Sequence, residues 1–325
     1  MTTTQLTETE RARPEPVKAV PVRHPWRWVA VAVLAVLAAM FVHLLVTNRA
    51  FDWPFMVDNM FRPPVIDGLL YGTVLMTVAA MALGIALGIV IAVMRLSANP
   101  ILRSVAWVYT WFFRAVPRLV LLATFSNLGI LWSRLELGVP FDRQIGRLFG
   151  IEDLNLRIWG MPTRDLLVGF VVGLLGLGLS EAAYMAEIVR AGMQSVDAGQ
   201  TEAAAALGMS RMQTLRRIVL PQAMRMIVPP TGNETIAMLK DTSLLVYVPV
   251  TMELFYQLDA IGKRTFNPFP MYVAATIWYL FLTSVLLVGQ HFVEKHFSRG
   301  YGAAERARMR LRNLAAERGT AGGVE

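Results

Sequence analysis

Long stretches without a charged residue constrain this chain more than any other feature. Gly68–Met94 runs for 27 residues without Asp, Glu, Lys or Arg, and Trp28–Val46 runs for 19. A helix needs ~20 apolar residues to cross the hydrocarbon core, and it suits that environment because its backbone hydrogen bonds are internal. Only 17% of the residues are charged, against about 25% in a soluble domain. The sequence therefore predicts an all-α integral membrane protein.

Six segments are apolar enough to be interpreted as membrane helices. They are Trp28–Val46, Gly68–Met94, Val105–Trp132, Leu166–Ile188, Ile236–Met252 and Met271–Gly289. In the second segment, small residues recur every four positions, at Ala80, Gly84, Gly88 and Ala92. Such a stripe lets another helix approach closely in a membrane. We therefore expect this helix to pack tightly against a neighbour.

Basic residues indicate the orientation of these helices. They are concentrated in the N-terminal segment, in Arg95–Arg103, in Arg190–Arg225 and after Gln290. Six crossings place all four regions on the cytoplasmic side, as the positive-inside rule requires, with the loop Ser133–Asp165 outside. The predicted organisation is a cytoplasmic tail (1–27), a first membrane helix (28–48), a helical core (66–293) and a basic cytoplasmic tail (294–325).

Several classes of function are disfavoured by residues that the sequence lacks. Without cysteine there is no disulfide and no zinc–thiolate site, and the four histidines form no metal-ligand cluster. No phosphate-binding loop or nucleophile motif occurs, so we expect neither an enzyme nor a bound cofactor or metal. The net charge of +8 lies mainly at the ends and in short loops, which fits contact with membrane lipid better than nucleic-acid binding.

The long segment before the fifth predicted helix carries helix signals of its own. Asp197 caps a first helix, Gly208 ends it, and Ser210 with Gln213 forms a capping box that starts a second, which Pro221 is expected to end. The predicted product is a helical hairpin at the cytoplasmic surface. From the residues alone, it either docks on another protein or lies on the lipid as an amphipathic hairpin.

The hairpin resembles the EAA loop of ABC-importer permeases. Glu202-Ala203-Ala204 is followed after three residues by Gly208 and after nine more by Ile218-x-Leu220-Pro221. In that family the loop docks on the ATPase subunit. The resemblance therefore implies that seven residues couple this chain to ATP hydrolysis: Glu202, Ala203, Ala204, Gly208, Ile218, Leu220 and Pro221.

Other segments are similar to one branch of the family, the permeases for polar amino acids (histidine, glutamate, glutamine, arginine) and opines. They include AAYMAEIVRAGMQSV (Ala182–Val196), LPQAMR (Leu220–Arg225) and NETIAMLKDTSLL (Asn233–Leu245). The similarity covers roughly Gly68 to Val293. It implies a bacterial cytoplasmic membrane protein with three kinds of protein partner: ATP-binding ATPase subunits, a second permease that is identical or paralogous, and an extracytoplasmic solute-binding protein. ATP and Mg²⁺ would then be bound by the ATPase, not by this chain.

Ionisable groups inside membrane segments are costly, which makes them candidates for a substrate pathway. The set, with one polar neighbour, is Arg118, Glu181, Glu187, Asn233, Glu234, Lys240 and Asp241. A zwitterionic substrate would need such groups, yet buried ion pairs can also be purely architectural. The alternatives to an ATP-driven amino acid permease are an ATP-independent transporter or channel, a permease for an opine-like solute, and a scaffold without transport. An inverted repeat, expected of many secondary transporters, is not found.

Overall fold

A computed structural model describes residues 25–297, apart from 152, 153, 168 and 249. The predicted tails, 1–27 and 294–325, therefore fall mostly outside the described residues. The helices are α1 (Pro25–Thr47), α2 (Trp53–Met60), α3 (Pro63–Asp67), α4 (Leu75–Leu96), α5 (Pro100–Ala115), α6 (Arg118–Ser126), α7 (Leu128–Leu131), α8 (Asp142–Leu148), α9 (Thr163–Leu166), α10 (Gly169–Gln194), α11 (Ala198–Ala206), α12 (Arg211–Thr214), α13 (Leu220–Asp241), α14 (Leu254–Arg264) and α15 (Pro268–Phe297). The strands are β1 (Arg134–Gly138) and β2 (Arg157–Pro162).

The chain divides after Phe51 into two units. The first contains α1, a 23-residue apolar helix with no buried residue in its membrane-length window. This helix contains the first predicted span, Trp28–Val46. The second unit begins at Asp52 and holds the remaining helices and both strands.

Within the described residues, four helices are long and apolar enough to cross a membrane. They are Trp26–Thr47, Pro63–Leu96, Gly169–Gln194 and Pro268–Phe297. The second of these passes from α3 into α4 through a π-helical turn, Gly68–Val74. A fifth crossing is possible if α5 and α6 form one broken span, because they meet at a bend of 99°.

The predicted span Val105–Trp132 is therefore wrong as a single helix. Its break falls at Val116 and Pro117, where the backbone is extended. Proline lacks an N–H and disfavours helical geometry in the residue before it. The chain restarts as α6 at Arg118, and this restart sets the position of that side chain.

The predicted span Ile236–Met252 is also wrong as a continuous helix. Its first residues are the last turns of α13, and a 3₁₀ segment, Thr242–Tyr247, follows. α13 carries Arg225, Glu234, Lys240 and Asp241. With these charges it is not among the helices that are apolar enough to cross a membrane by composition alone. A sixth crossing at α13 stays a prediction.

Pro221 does not end the second hairpin helix, contrary to expectation. The helix continues from α12 through a π-helical turn, Leu215–Val219, into α13, and Pro221 lies in the first turn of α13. A π-turn widens the helix and spaces its carbonyls differently. The proline ring, which would clash with the carbonyl four residues earlier in a regular helix, is thereby accommodated.

The stripe of small residues packs α4 against α10, as predicted. Ala80, Gly84, Gly88 and Ala92 are all buried. A Cβ added at Gly84 would lie 2.6 Å from Cγ of Glu181, and one at Gly88 would lie 2.6 Å from Cβ of Met185 on α10. Glycine is required here because the two helices are too close for a methyl group.

The predicted external loop, Ser133–Asp165, contains the only strands within the described ranges. β1 and β2 pair antiparallel from Arg134 opposite Pro162 to Gly138 opposite Arg157, with an irregularity after Leu137. The all-α prediction holds for the core, and this short ribbon is an exception to it.

Candidate functional site

The hairpin α11–α12 is built by the local signals that the sequence carries. Asp197 caps α11, with Oδ1 accepting a hydrogen bond from the Gly199 N–H at 2.7 Å. Gly208 has φ +73°, in the left-handed region that favours glycine and ends helices. The Ser210–Gln213 capping box is complete, with hydrogen bonds of 2.9 and 3.3 Å. The caps at Asp197 and Ser210 and the turn at Gly208 therefore lie where the sequence signals place them.

Part of the EAA-like motif forms an open surface. Glu202, Ala203 and Gly208 are exposed, and Leu207 between them is 81% exposed. Ala204 is buried at 1%. A row of small side chains beside an exposed leucine and a carboxylate leaves room for a partner to approach this face.

The remaining motif residues lie further along the continuous helix. Ile218 is half-buried, and Leu220 and Pro221 are exposed at the start of α13. The second helix of the hairpin is therefore continuous with α13.

Arg118 joins three helices through ion pairs. It is the first residue of α6, and it donates to Oδ2 of Asp241 on α13 at 2.6 Å and to Oε2 of Glu181 on α10 at 2.8 Å. Glu234, on α13, lies 3.8 Å away. These four residues, here named the Arg118 cluster, hold one positive charge against three carboxylates.

Burial differs sharply within the Arg118 cluster. The Glu181 side chain is fully buried, and its Oε1 has no hydrogen-bond partner among the described residues. The side chains of Glu234 and Asp241 are 27% and 34% exposed. The cluster therefore has a closed end at Glu181 and an open, acidic end at Glu234 and Asp241.

An aromatic ring flanks the same arginine. The guanidinium of Arg118 lies 5.0 Å from the ring centre of Tyr184, and that of Arg114 lies 5.6 Å from it. A cation within about 6 Å of an aromatic face is attracted by it. Tyr184, which the sequence did not single out, thus links the Arg118 cluster to a second arginine.

The other predicted pathway residues lie elsewhere. Glu187 accepts from Arg95 at 3.1 Å and from Arg190 at 2.9 and 2.7 Å, which makes a separate network two turns along α10. Asn233 and Lys240 are exposed and form no ion pair within the described part of the chain. Four of the seven candidates therefore converge at one place.

Sequence reasoning missed a buried carboxylate, Glu253. Its side chain caps α14, accepting from the Phe255 N–H at 2.7 Å, and it also accepts from the hydroxyls of Thr73 at 2.8 Å and Tyr279 at 2.5 Å. These contacts tie α14 to both long neighbouring helices. The available signal was an acid directly before a short amphipathic helix, which indicates a cap but not its partners.

No group of three or more His, Cys, Asp or Glu residues within the described ranges is arranged to hold a metal ion. The polar clusters are instead ion pairs and hydrogen-bonded caps.

A family model for the binding-protein-dependent transport system inner membrane component matches residues 84–299. The arginine transport system permease protein ArgU of Corynebacterium glutamicum is 44% identical over 289 residues, covering 89% of this chain and 85% of the relative. The glutamate/aspartate import permease protein GltK of Escherichia coli is 35% identical, covering 73% of this chain and 95% of the relative.

Solved structures agree with the sequence relatives. An amino acid ABC transporter crystallised with histidines superposes with a TM-score of 0.60 at 28% identity, covering 75% of this chain and 98% of that one. An alginate ABC transporter, at 13% identity and a TM-score of 0.52, supports the fold alone. The chain belongs to the family of inner-membrane components of binding-protein-dependent transport systems, in its group of amino acid ABC-importer permeases, and is not an enzyme.

Proposed function

We propose that this chain, a permease subunit of an ABC amino acid importer, carries polar amino acids with a cationic side chain. The observation that supports this is the excess of carboxylate in the Arg118 cluster, where three acids face one arginine. The relative with 44% identity is an arginine permease, which points to the same substrate class.

The two ends of the cluster have different tasks in this proposal. Arg118 neutralises the buried Glu181 and, by donating to Asp241 as well, holds α6 against α10 and α13. Glu234 and Asp241 are partly exposed, so a guanidinium or ammonium group from the substrate pairs with Glu234 and with the Asp241 oxygen that Arg118 leaves open. Charge-assisted hydrogen bonds to carboxylates are strong and directional, and a planar guanidinium binds them in pairs.

Uptake by the reconstituted importer tests the substrate class. Asp241→Asn and Glu234→Gln keep the shape of the site but remove its negative charge, so each should lower arginine uptake about tenfold, the effect of roughly 1.4 kcal/mol. Asp165→Asn, an exposed acid in the external loop, should leave uptake unchanged. Unaltered arginine uptake by both cluster variants would refute the proposal.

A second part of the proposal assigns coupling to ATP to the hairpin. We propose that the exposed face with Glu202, Ala203, Leu207 and Gly208 docks on a partner ATPase that binds ATP and Mg²⁺, and that α13 carries the motion to Asp241. The assembly would add a second permease and an extracytoplasmic solute-binding protein, in a bacterial inner membrane with both termini cytoplasmic.

Co-purification and an ATPase assay in lipid test this docking. Glu202→Lys should lose the ATPase subunit while the permease stays folded, because the docking face would carry the wrong charge. The matched charge reversal Asp165→Lys lies outside the face and should retain it. If Glu202→Lys keeps the ATPase subunit and takes up substrate normally, the docking role is refuted. If an ion gradient alone drives uptake, the chain is an ATP-independent transporter instead.

A further inference from the structure

A second polar cavity, apart from the Arg118 cluster, lies between α4, α5 and α10. Its volume is about 390 Å³, and its principal lining residues are Arg95, Trp107, Trp111, Arg114, Tyr184 and Glu187. Neither the proposed substrate route nor the docking face uses it. The combination of two arginines with three aromatic rings needs its own explanation.

The charges at this cavity are unequal. The one lining carboxylate, Glu187, is already engaged by Arg95 and by Arg190 beside the cavity. Arg95 Nε is buried and has no hydrogen-bond partner within the described part of the chain. Arg114 is exposed at the cavity and rests on the Tyr184 ring. With Arg190 beside the cavity, three arginines stand against Glu187 and against Glu234, which attracts Arg114 from outside the lining. The remaining excess of positive charge and the free N–H donors suit an anion.

The mouth of the cavity is aromatic. Trp107 and Trp111 are 52% and 59% exposed, and their rings stack 8° from parallel with centroids 6.3 Å apart. Exposed tryptophans on a membrane helix favour the boundary between headgroups and acyl chains. A ligand with a polar head and an apolar body therefore fits better than a free inorganic anion.

The position of the cavity along the helices agrees with that boundary. Arg95 lies in the last turn of α4, and Glu187 precedes the end of α10 by seven residues, which is roughly 10 Å at the rise of an α-helix. The positive-inside pattern predicts that these ends are cytoplasmic. Basic pockets between membrane helices on that side bind the headgroups of anionic lipids.

We propose that this cavity binds the phosphodiester headgroup of an anionic phospholipid from the cytoplasmic leaflet. Arg95 and Arg114 hold the phosphate, and the Trp107–Trp111 pair covers the glycerol and the first part of the acyl chains. Tyr184 lies between Arg114 and Arg118, so the bound lipid also steadies the arginine of the Arg118 cluster. This site does not depend on which amino acid is carried.

The test uses the purified transporter in nanodiscs of phosphatidylcholine, with or without phosphatidylglycerol. The measured quantity is the rise in the apparent thermal unfolding midpoint that phosphatidylglycerol produces. Arg114→Gln should reduce this rise by more than about half, because one of two phosphate ligands is lost. Arg103→Gln, an exposed arginine on the same helix outside the cavity, should keep the full rise.

Two further arms separate specific lipid binding from its alternatives. Trp111→Leu keeps both arginines but should still reduce the rise in unfolding midpoint that phosphatidylglycerol produces. This variant tests the proposal even if Arg114→Gln does not assemble. Inorganic phosphate added to phosphatidylcholine discs should produce no comparable rise. An equal rise in all variants would show non-specific attraction to the membrane and would overturn the proposal. An equal effect of free phosphate would show an anion site without lipid and would overturn it as well. Arginine uptake in sealed phosphatidylcholine vesicles reports on the substrate proposal separately.

Discussion

Arg118 owes its place to the residue before it. Pro117 breaks the membrane segment, and the helix that restarts at Arg118 directs the guanidinium towards α10 and α13. There it pairs with Glu181, which has no access to water. A carboxylate buried among membrane helices is costly unless it is paired, so the arginine and the glutamate depend on each other.

This dependence predicts a non-additive pair of variants. Arg118→Gln leaves the charge of Glu181 buried and uncompensated, which should cost about 3–5 kcal/mol of stability. Adding Glu181→Gln removes that charge, so the double variant should recover most of the loss. The measurement is denaturant unfolding of the purified permease in a fixed detergent, and simple addition of the two single losses would contradict the pairing.

Gly84 offers a second test at the same contact. Gly84→Ala places a methyl group 2.6 Å from the Glu181 side chain, and such overpacking costs about 1–3 kcal/mol. Gly289→Ala, on α15, meets nothing within 4 Å and replaces glycine inside a helix, so it should be neutral or stabilising. The thermal unfolding midpoint should fall in Gly84→Ala and should stay unchanged or rise in Gly289→Ala. Equal shifts in the two variants would show that α4 and α10 can separate at little cost.

At the scale of helices and turns, the sequence predicted features that depend on neighbouring residues but not features that depend on residues far apart in the chain. The Ser210–Gln213 capping box and the small stripe of α4 act within one or two turns, and both were predicted correctly. The path of the helix past Pro221 depends on a π-turn, which leaves no clear pattern in composition. Glu253 bonds to Thr73, 180 positions away, so only the folded chain brings that site together. The Arg118 cluster is intermediate: its members were identified one by one, but their meeting point was not.

The turn between α11 and α12 makes a prediction about coupling. Gly208→Ala forces a Cβ into left-handed geometry, so the turn should shift and ATPase activity should no longer follow uptake. Ala205→Gly weakens the neighbouring helix by about 0.5–1 kcal/mol but leaves the turn unchanged. The ratio of ATP hydrolysed to amino acid imported should rise in Gly208→Ala and stay near the native value in Ala205→Gly. A rise of the same size in both would mean that hairpin stability, not turn geometry, sets coupling.

For the whole molecule, length and hydropathy gave the class of fold but not the number of crossings. Among the described residues, four helices are long and apolar enough to cross, the bent pair α5–α6 adds a fifth if it forms one broken span, and a sixth crossing at α13 stays a prediction. The difficulty is physical, because a helix whose polar groups face partners inside the protein need not look apolar along the chain. Whether the segments after α13 lie on the cytoplasmic or the external side of the membrane depends on whether α13 crosses it.

Cysteine labelling decides whether α13 crosses, and the chain provides a clean background because it contains no cysteine. Phe266, in the turn between α14 and α15, is 94% exposed. If α13 crosses, Phe266→Cys should react with an impermeant maleimide added outside intact cells, as should Phe149→Cys in the external loop. Ala98→Cys, between α4 and α5, should react only after the membrane is opened. If Phe266→Cys, like Ala98→Cys, reacts only after the membrane is opened, α13 does not cross and both of its ends are cytoplasmic. α15 then runs in the opposite direction. That orientation would place the basic tail outside the cell, against the positive-inside rule.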